Sequence, residues 1–297
     1  MGWESIMVQA IRMGHLTLQS KDIERQIEYF TEVVGLVVVE RNRDRAFLAT
    51  PIGQLAVELQ SADHAGCNQI SLEVSPHIEA ADIVKDLSRL GVSSHRSSQP
   101  FPGVTEVVTF RDNKGTDVQL YMRGGFVSPN RDTLGVGPIK LGHVAFSVVS
   151  PQETANFFTQ TLGFRVSDWI QDIFVFQRCN PDHHTLNFVA GERAELAHFA
   201  FELKDFAHLQ AACDMLGRHR ISVARGPLRH GPGHNVAVYH LTPDGLTLEF
   251  FVEMDRMSNE ELGYFDPKPW HRDFPQRPKT WNRKDNGTVI WGIRPPR

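Results

Sequence analysis

The feature that most constrains this chain is an internal repeat. The stretch LGHVAFSVVSPQETANFFTQTLGFRV, from Leu141, aligns with MGHLTLQSKDIERQIEYFTEVVGLVV, from Met13. Each has Gly-His, an alternating strand, a polar helix start and a Gly that ends the helical run. Between them, NQISLEVSPHIEAADIVKDLSRLGVSS from Asn68 resembles AHFAFELKDFAHLQAACDMLGRHRISV from Ala197, and FRDNKGTDVQLY matches LTPDGLTLEFF. The chain is four related modules in two pairs, and such self-similarity decides the architecture before any motif does.

Each module has the same order of elements. GHVAFSV alternates as a half-buried strand does. Ser150 suits a helix N-cap, Pro151 the first helical position and Gly163 the stop. FRVSDW, DIFVFQRC and HTLNFVAG then give three further strands divided by turn residues. The unit is βαβββ, too small to close a core alone, so two units must pack their sheets into a curved, incomplete barrel with helices outside. The expected class is α+β, with an N-terminal domain over 8–123 and a C-terminal domain over 138–254. The Pro-rich remainder, 255–297, matches no module and carries Trp270, Trp281 and Trp291. It is expected to be an arm that packs on the C-terminal half or on a neighbouring subunit.

Composition narrows the partners. A formal charge of -4 provides no basic field to attract nucleic acid or anionic lipid. No apolar run is long enough to span a bilayer, and the first residues lack the pattern of a secretory signal. Cys67, Cys179 and Cys213 are an odd, unpatterned set that suits reduced thiols. A cytoplasmic protein that meets a small molecule or another copy of itself is expected.

The repeat makes the polar residues comparable. His143 lies on the first strand of the third module, His198 on the first strand of the fourth, and Glu249 on its last strand. Strand parity turns all three away from the helix-covered face and into one cavity. A lone strand histidine is usually a hydrogen-bonded interior residue, but three matched positions in one repeat pair point to a ligand set. Two imidazoles and one carboxylate with open positions form the facial arrangement of non-haem Fe(II) oxygenases, and Mn(II) is accepted by the same donors. The first-half counterparts are His15, Gln69 and Gln119, which bring no negative charge. A vestigial, metal-free site is expected there.

The four modules together resemble the type I extradiol ring-cleavage dioxygenases of the vicinal oxygen chelate superfamily. The most specific likeness is the pattern of His, seven residues, apolar-Tyr, two residues, small-Pro-any-Gly, three residues and Glu. Here it is met by His230, Val238-Tyr239, Thr242-Pro243-Asp244-Gly245 and Glu249. Leu228 and Thr242 depart from the commonest residues, and neither is a proposed ligand. The resemblance implies that His143, His198 and Glu249 hold Fe(II). It also implies an acid-base histidine before the fourth module, His184, with His183 as the alternative; the pair alone reads only as a turn edge. His230 and Tyr239 are implied to hydrogen-bond the oxygens of a catechol. His234 and His183 are further substrate-contact candidates, and His240, which alternates away from Tyr239, reads as structural. The implied activity is insertion of both atoms of O2 into a catechol next to its hydroxyls, in a homo-oligomer, often a tetramer or larger. The competing readings are a glyoxalase-like metal-dependent isomerase and a metal-free binding protein of the antibiotic-sequestering kind.

Overall fold

The computed structural model describes residues 8–129, 134–269, 273–283 and 289–291. The first module runs β1 (Ala10–Ser20), α1 (Ile23–Tyr29), a π turn (Phe30–Val34), β2 (Val37–Arg41), β3 (Arg45–Ala49) and β4 (Leu55–Ser61). The second is β5 (Gly66–Val74), α2 (Ala80–Arg89), β6 (Ser94–Phe101), β7 (Val104–Arg111) and β8 (Asp117–Tyr121). The third is β9 (Lys140–Val148), α3 (Pro151–Leu162), β10 (Arg165–Ile170), β11 (Phe174–Arg178) and β12 (Leu186–Ala190). The fourth is β13 (Glu195–Glu202), α4 (Phe206–Arg218), β14 (Arg225–Arg229), β15 (Val236–Leu241) and β16 (Thr247–Val252). The βαβββ order holds four times, and the mixed sheets curl into half-barrels.

The caps act as the sequence predicts. The Ser150 side chain accepts from the Glu153 N–H, Pro151 opens α3, and Gly163 ends it at φ 69°. Left-handed backbone of that kind suits glycine, which has no Cβ to clash. Phe158 and Leu162 of α3 are fully buried beneath the cap.

Pairs of modules join through their first strands. β1 pairs antiparallel with β5, and β9 pairs antiparallel with β13. The strand orders are β2-β3-β4-β1-β5-β8-β7-β6 and β14-β15-β16-β13-β9-β12-β11-β10-β17. One continuous cluster of buried apolar side chains spans the two sheets, with Phe30 and Phe199 6.3 Å apart between ring centroids.

The arm adds the ninth strand. β17 (Lys279–Trp281) pairs parallel with β10, placing Trp281 opposite Ile170. Met257 and Phe265 of the arm are buried, and the Met257 N–H donates to the Pro181 carbonyl. The described part of the arm therefore packs on its own chain. Trp270 lies outside the described residues.

Candidate metal centre

Three central strands of the second sheet bring the donors together. Ala200 on β13 sits opposite His143 on β9 and opposite Glu249 on β16. His198 lies two residues before Ala200, so its side chain emerges on the same face of the sheet. Nε2 of His143 is 3.3 Å from Nε2 of His198 and 3.2 Å from Oε2 of Glu249, and His198 Nε2 is also 3.2 Å from Oε2. His143 and Glu249 are buried, whereas His198 is partly open. Asn235 donates to Oε1 of Glu249 at 3.0 Å, which leaves Oε2 to face the imidazoles.

The electrostatics suit a divalent cation. Burial lowers the pKa of His143, so its ring is held in the neutral form that ligates. Burial also opposes ionisation of Glu249, but its hydrogen bonds and electrostatic contacts with the His143 and His198 rings outweigh it and hold the carboxyl well below its usual range. Adjacent positions around an ion with bonds of about 2.1 Å lie about 3 Å apart, close to the spacings of these three atoms. The donor set therefore fits a hard or borderline divalent metal with positions left open. Among the described residues, this is the one group of three or more potential ligands gathered in this way.

The triad lines a cavity of about 500 Å³. His184 stands on its wall, just before β12, with its ring 4.3 Å from that of His143. Burial, reinforced by His143 and His183, keeps its pKa well below the ordinary value. Tyr239 on β15 is directly opposite Glu249, and its hydroxyl is 2.7 Å from Nε2 of His230. Burial and then the Glu249 charge raise its pKa well above the usual value, so the phenol keeps its proton. Ile170, Ile173, Phe174 and Val189 form apolar wall, and Arg225 and Arg283 stand among the lining residues with exposed side chains.

Two of the expected substrate-contact residues do not line the cavity. His183 is fully buried behind His184 and does not line the cavity; its Nε2 is 3.1 Å from Oδ2 of Asp168. His234 is also buried, away from the lining, with Nδ1 2.6 Å from Oδ2 of Asp255 at the start of the arm. Both therefore support the wall where substrate contact was expected. A carboxylate captures each ring from behind. His240 likewise faces away, hydrogen-bonded through Nε2 to the Tyr29 hydroxyl at 2.6 Å.

The first half differs from expectation in one residue. Ser71 bridges Nε2 of His15, at 3.3 Å, and Oε1 of Gln119, at 2.9 Å, while Gln69 turns to Thr17. The buried Glu58 of β4 also enters this cluster, 3.7 Å from His15 and paired with Arg45. The site is thus not without negative charge: burial opposes ionisation, but His15 and Arg45 hold the Glu58 pKa at about 2. By strand register Glu58 matches Asn187, a cavity residue of the second half. That correspondence was the available signal for both, since Leu16 opposite Val57 repeats as Val144 opposite Leu186.

The sequence profile of the Glyoxalase/Bleomycin resistance protein/Dioxygenase superfamily matches residues 140–250. The chain is 23% identical to a metapyrocatechase of Pseudomonas sp. (strain CF600), over 95% of this chain and 94% of that one. The 2,3-dioxygenase LapB from Pseudomonas sp. KL28 superposes with a TM-score of 0.80 at 22% identity, covering 94% and 99% of the two chains. An Mn(II)-bound glyoxalase from Novosphingobium aromaticivorans gives 0.83 at 23% identity, covering 97% and 92%. The matched residues, 140–250, carry all three candidate ligands.

Proposed function

We infer that this protein is an extradiol dioxygenase, which cleaves a catechol-type ring beside its vicinal hydroxyls and inserts both atoms of O2. The observation that carries the reading is the placement of His143, His198 and Glu249 in one cavity with His184, His230 and Tyr239. The donor set suits Fe(II), with Mn(II) as the other metal it accepts. Held by His143, His198 and Glu249, such an ion would supply the Lewis acidity that lowers the pKa of the catechol hydroxyls and the redox access to O2 that the reaction needs.

The protein side chains supply the rest. Tyr239 stays protonated and, held by His230, donates a hydrogen bond to one substrate oxygen, which orders the asymmetric catecholate. His184 is kept neutral by burial and is placed to take and return a proton. Ile170, Ile173 and Phe174 pack the ring and exclude water. Among the described residues, neither Arg225 nor Arg283 forms an ion pair with a carboxylate. They favour a catechol whose side group is anionic. The C-terminal half is read as the catalytic domain, the first half as its relative without the donors, and the assembly as a homo-oligomer.

The test is anaerobic reconstitution with Fe(II), then air and a panel of catechols. Oxygen uptake with a yellow ring-opened product is expected. Iron-loaded protein that consumes no oxygen with any catechol overturns the reading. The similarity to an Mn(II)-bound glyoxalase makes isomerase chemistry the second reading, and that reaction consumes no O2.

A further inference from the structure

Behind the cavity wall the His183–Asp168 contact is part of a longer hydrogen-bonded chain. Asp168 on β10 is wholly buried, yet three nitrogens converge on its carboxylate. These are the Lys279 backbone amide at 2.9 Å, the Trp281 indole at 2.6 Å and Nε2 of His183 at 3.1 Å. Nδ1 of His183 lies 3.0 Å from Nδ1 of His184 on the cavity wall. The ring of Phe265 packs 4.7 Å from that of His183. Gly233 presses on the pair from the other side: at φ +75°, a Cβ there would come within 3.1 Å of His183 Nδ1 and 3.3 Å of His184 Cε1. Two of the three donors to Asp168 come from β17, so the C-terminal arm completes this arrangement.

The contacts fit one placement of the ring hydrogens. Both oxygens of Asp168 already accept from β17, so Nε2 of His183 is read as the third donor. In that tautomer Nδ1 of His183 is a lone pair, and the contact with His184 takes its hydrogen from Nδ1 of His184. Neutral His184 is left with a bare Nε2, a lone pair as its one remaining ring nitrogen.

We propose that Asp168 and Trp281 are positioning residues which, through His183, fix the tautomer of His184 so that its Nε2 meets the substrate as a proton acceptor. The identity of the proton, a catechol O–H, rests on the dioxygenase reading; the tautomer does not. On transfer the bonding pair stays on the catechol oxygen, and the imidazolium formed at His184 faces the Asp168 charge through one intervening ring. The same proton is then available for return to the ring-opened product. The arrangement follows the general rule that a carboxylate behind a histidine sets its tautomer and stabilises its charged form.

The experiment is ¹⁵N NMR of histidine-labelled full-length protein prepared without iron, with the His184 signals assigned by their loss in His184→Gln. Hydrogen on Nδ1 and a bare Nε2 are expected in the wild type. Asp168→Ala should shift His184 toward the Nε2–H tautomer, and Trp281→Phe should do so partially while keeping an aromatic ring in place. If Asp168→Ala does not fold, Trp281→Phe carries the test. In iron-loaded protein, Asp168→Ala should lower kcat by about 10²-fold with KM for the catechol and iron content little changed. A wild-type His184 with hydrogen on Nε2, or a tautomer that both substitutions leave unchanged, overturns the proposal. The expected tautomer and its shift in a chain that cleaves no catechol would support the positioning chain and overturn the dioxygenase reading instead.

Discussion

The Tyr29 hydroxyl and Nε2 of His240 are 2.6 Å apart, joining α1 of the first half to β15, the strand that carries Tyr239. Both side chains are buried, and among the described residues Nδ1 of His240 has no hydrogen-bond partner. Removing the hydroxyl in Tyr29→Phe leaves the second imidazole nitrogen unpaired as well. Loss of about 1–3 kcal/mol in chemical denaturation is expected, with the iron content of the folded protein unchanged.

The same pair predicts a pH dependence of stability. Burial lowers the His240 pKa from 6.5 to about 4. Between those values the unfolded chain binds a proton that the folded chain does not, so this contribution is fully present above pH 6.5 and is lost as pH falls through 4. The loss amounts to about 3 kcal/mol. Urea melts from pH 7 to 4 should show His240→Gln losing less stability than the wild type over this range. Parallel curves for the two proteins would contradict the assignment.

Glu58 is a structural carboxylate in this account. Its partners are Thr17, His15 and Arg45, and its folded pKa of about 2 means that its contribution is present above the usual carboxylate range and lost as pH falls toward 2. Glu58→Ala leaves the partly exposed Arg45 without its counter-charge and the buried His15 and Thr17 without their partner, and should cost about 1–3 kcal/mol. Iron stoichiometry of the protein that folds should equal that of the wild type. A calorimetric scan and a metal assay on one sample measure both.

Arg225 and Arg283 predict selectivity by charge. With Arg225→Met, KM for a carboxylated catechol should rise about 10-fold or more, while KM for unsubstituted catechol changes little. Arg283→Met should act in the same direction. Equal effects on both substrates would show that these side chains do not read an anionic group.

Much of this molecule is legible in its sequence, and the reasons are local. Ser150, Pro151 and Gly163 mark helix ends by their own chemistry, and period-two alternation tells which face of a strand His143 and Glu249 occupy. Parity says nothing about consecutive residues in a turn, so His183 and His184 could not be sorted before the fold showed Asp168 behind one of them. Trp281 and Lys279 reach Asp168 from a segment that belongs to no repeat, and a contact made across more than a hundred residues leaves no periodic trace. Glu58 was hidden differently. In LAVELQS it reads as the solvent-facing residue of an alternating strand, whereas it is fully buried against Arg45.

The central claim is that His143, His198 and Glu249 hold the metal. Glu249→Gln changes a carboxylate to the amide found at Gln119 and removes the one negative charge of the triad. The direct measurement is iron per chain after anaerobic loading and desalting, with circular dichroism on the same samples. Stoichiometric iron in the wild type and almost none in a normally folded Glu249→Gln protein is the predicted result. Equal iron in the two proteins would contradict the claim.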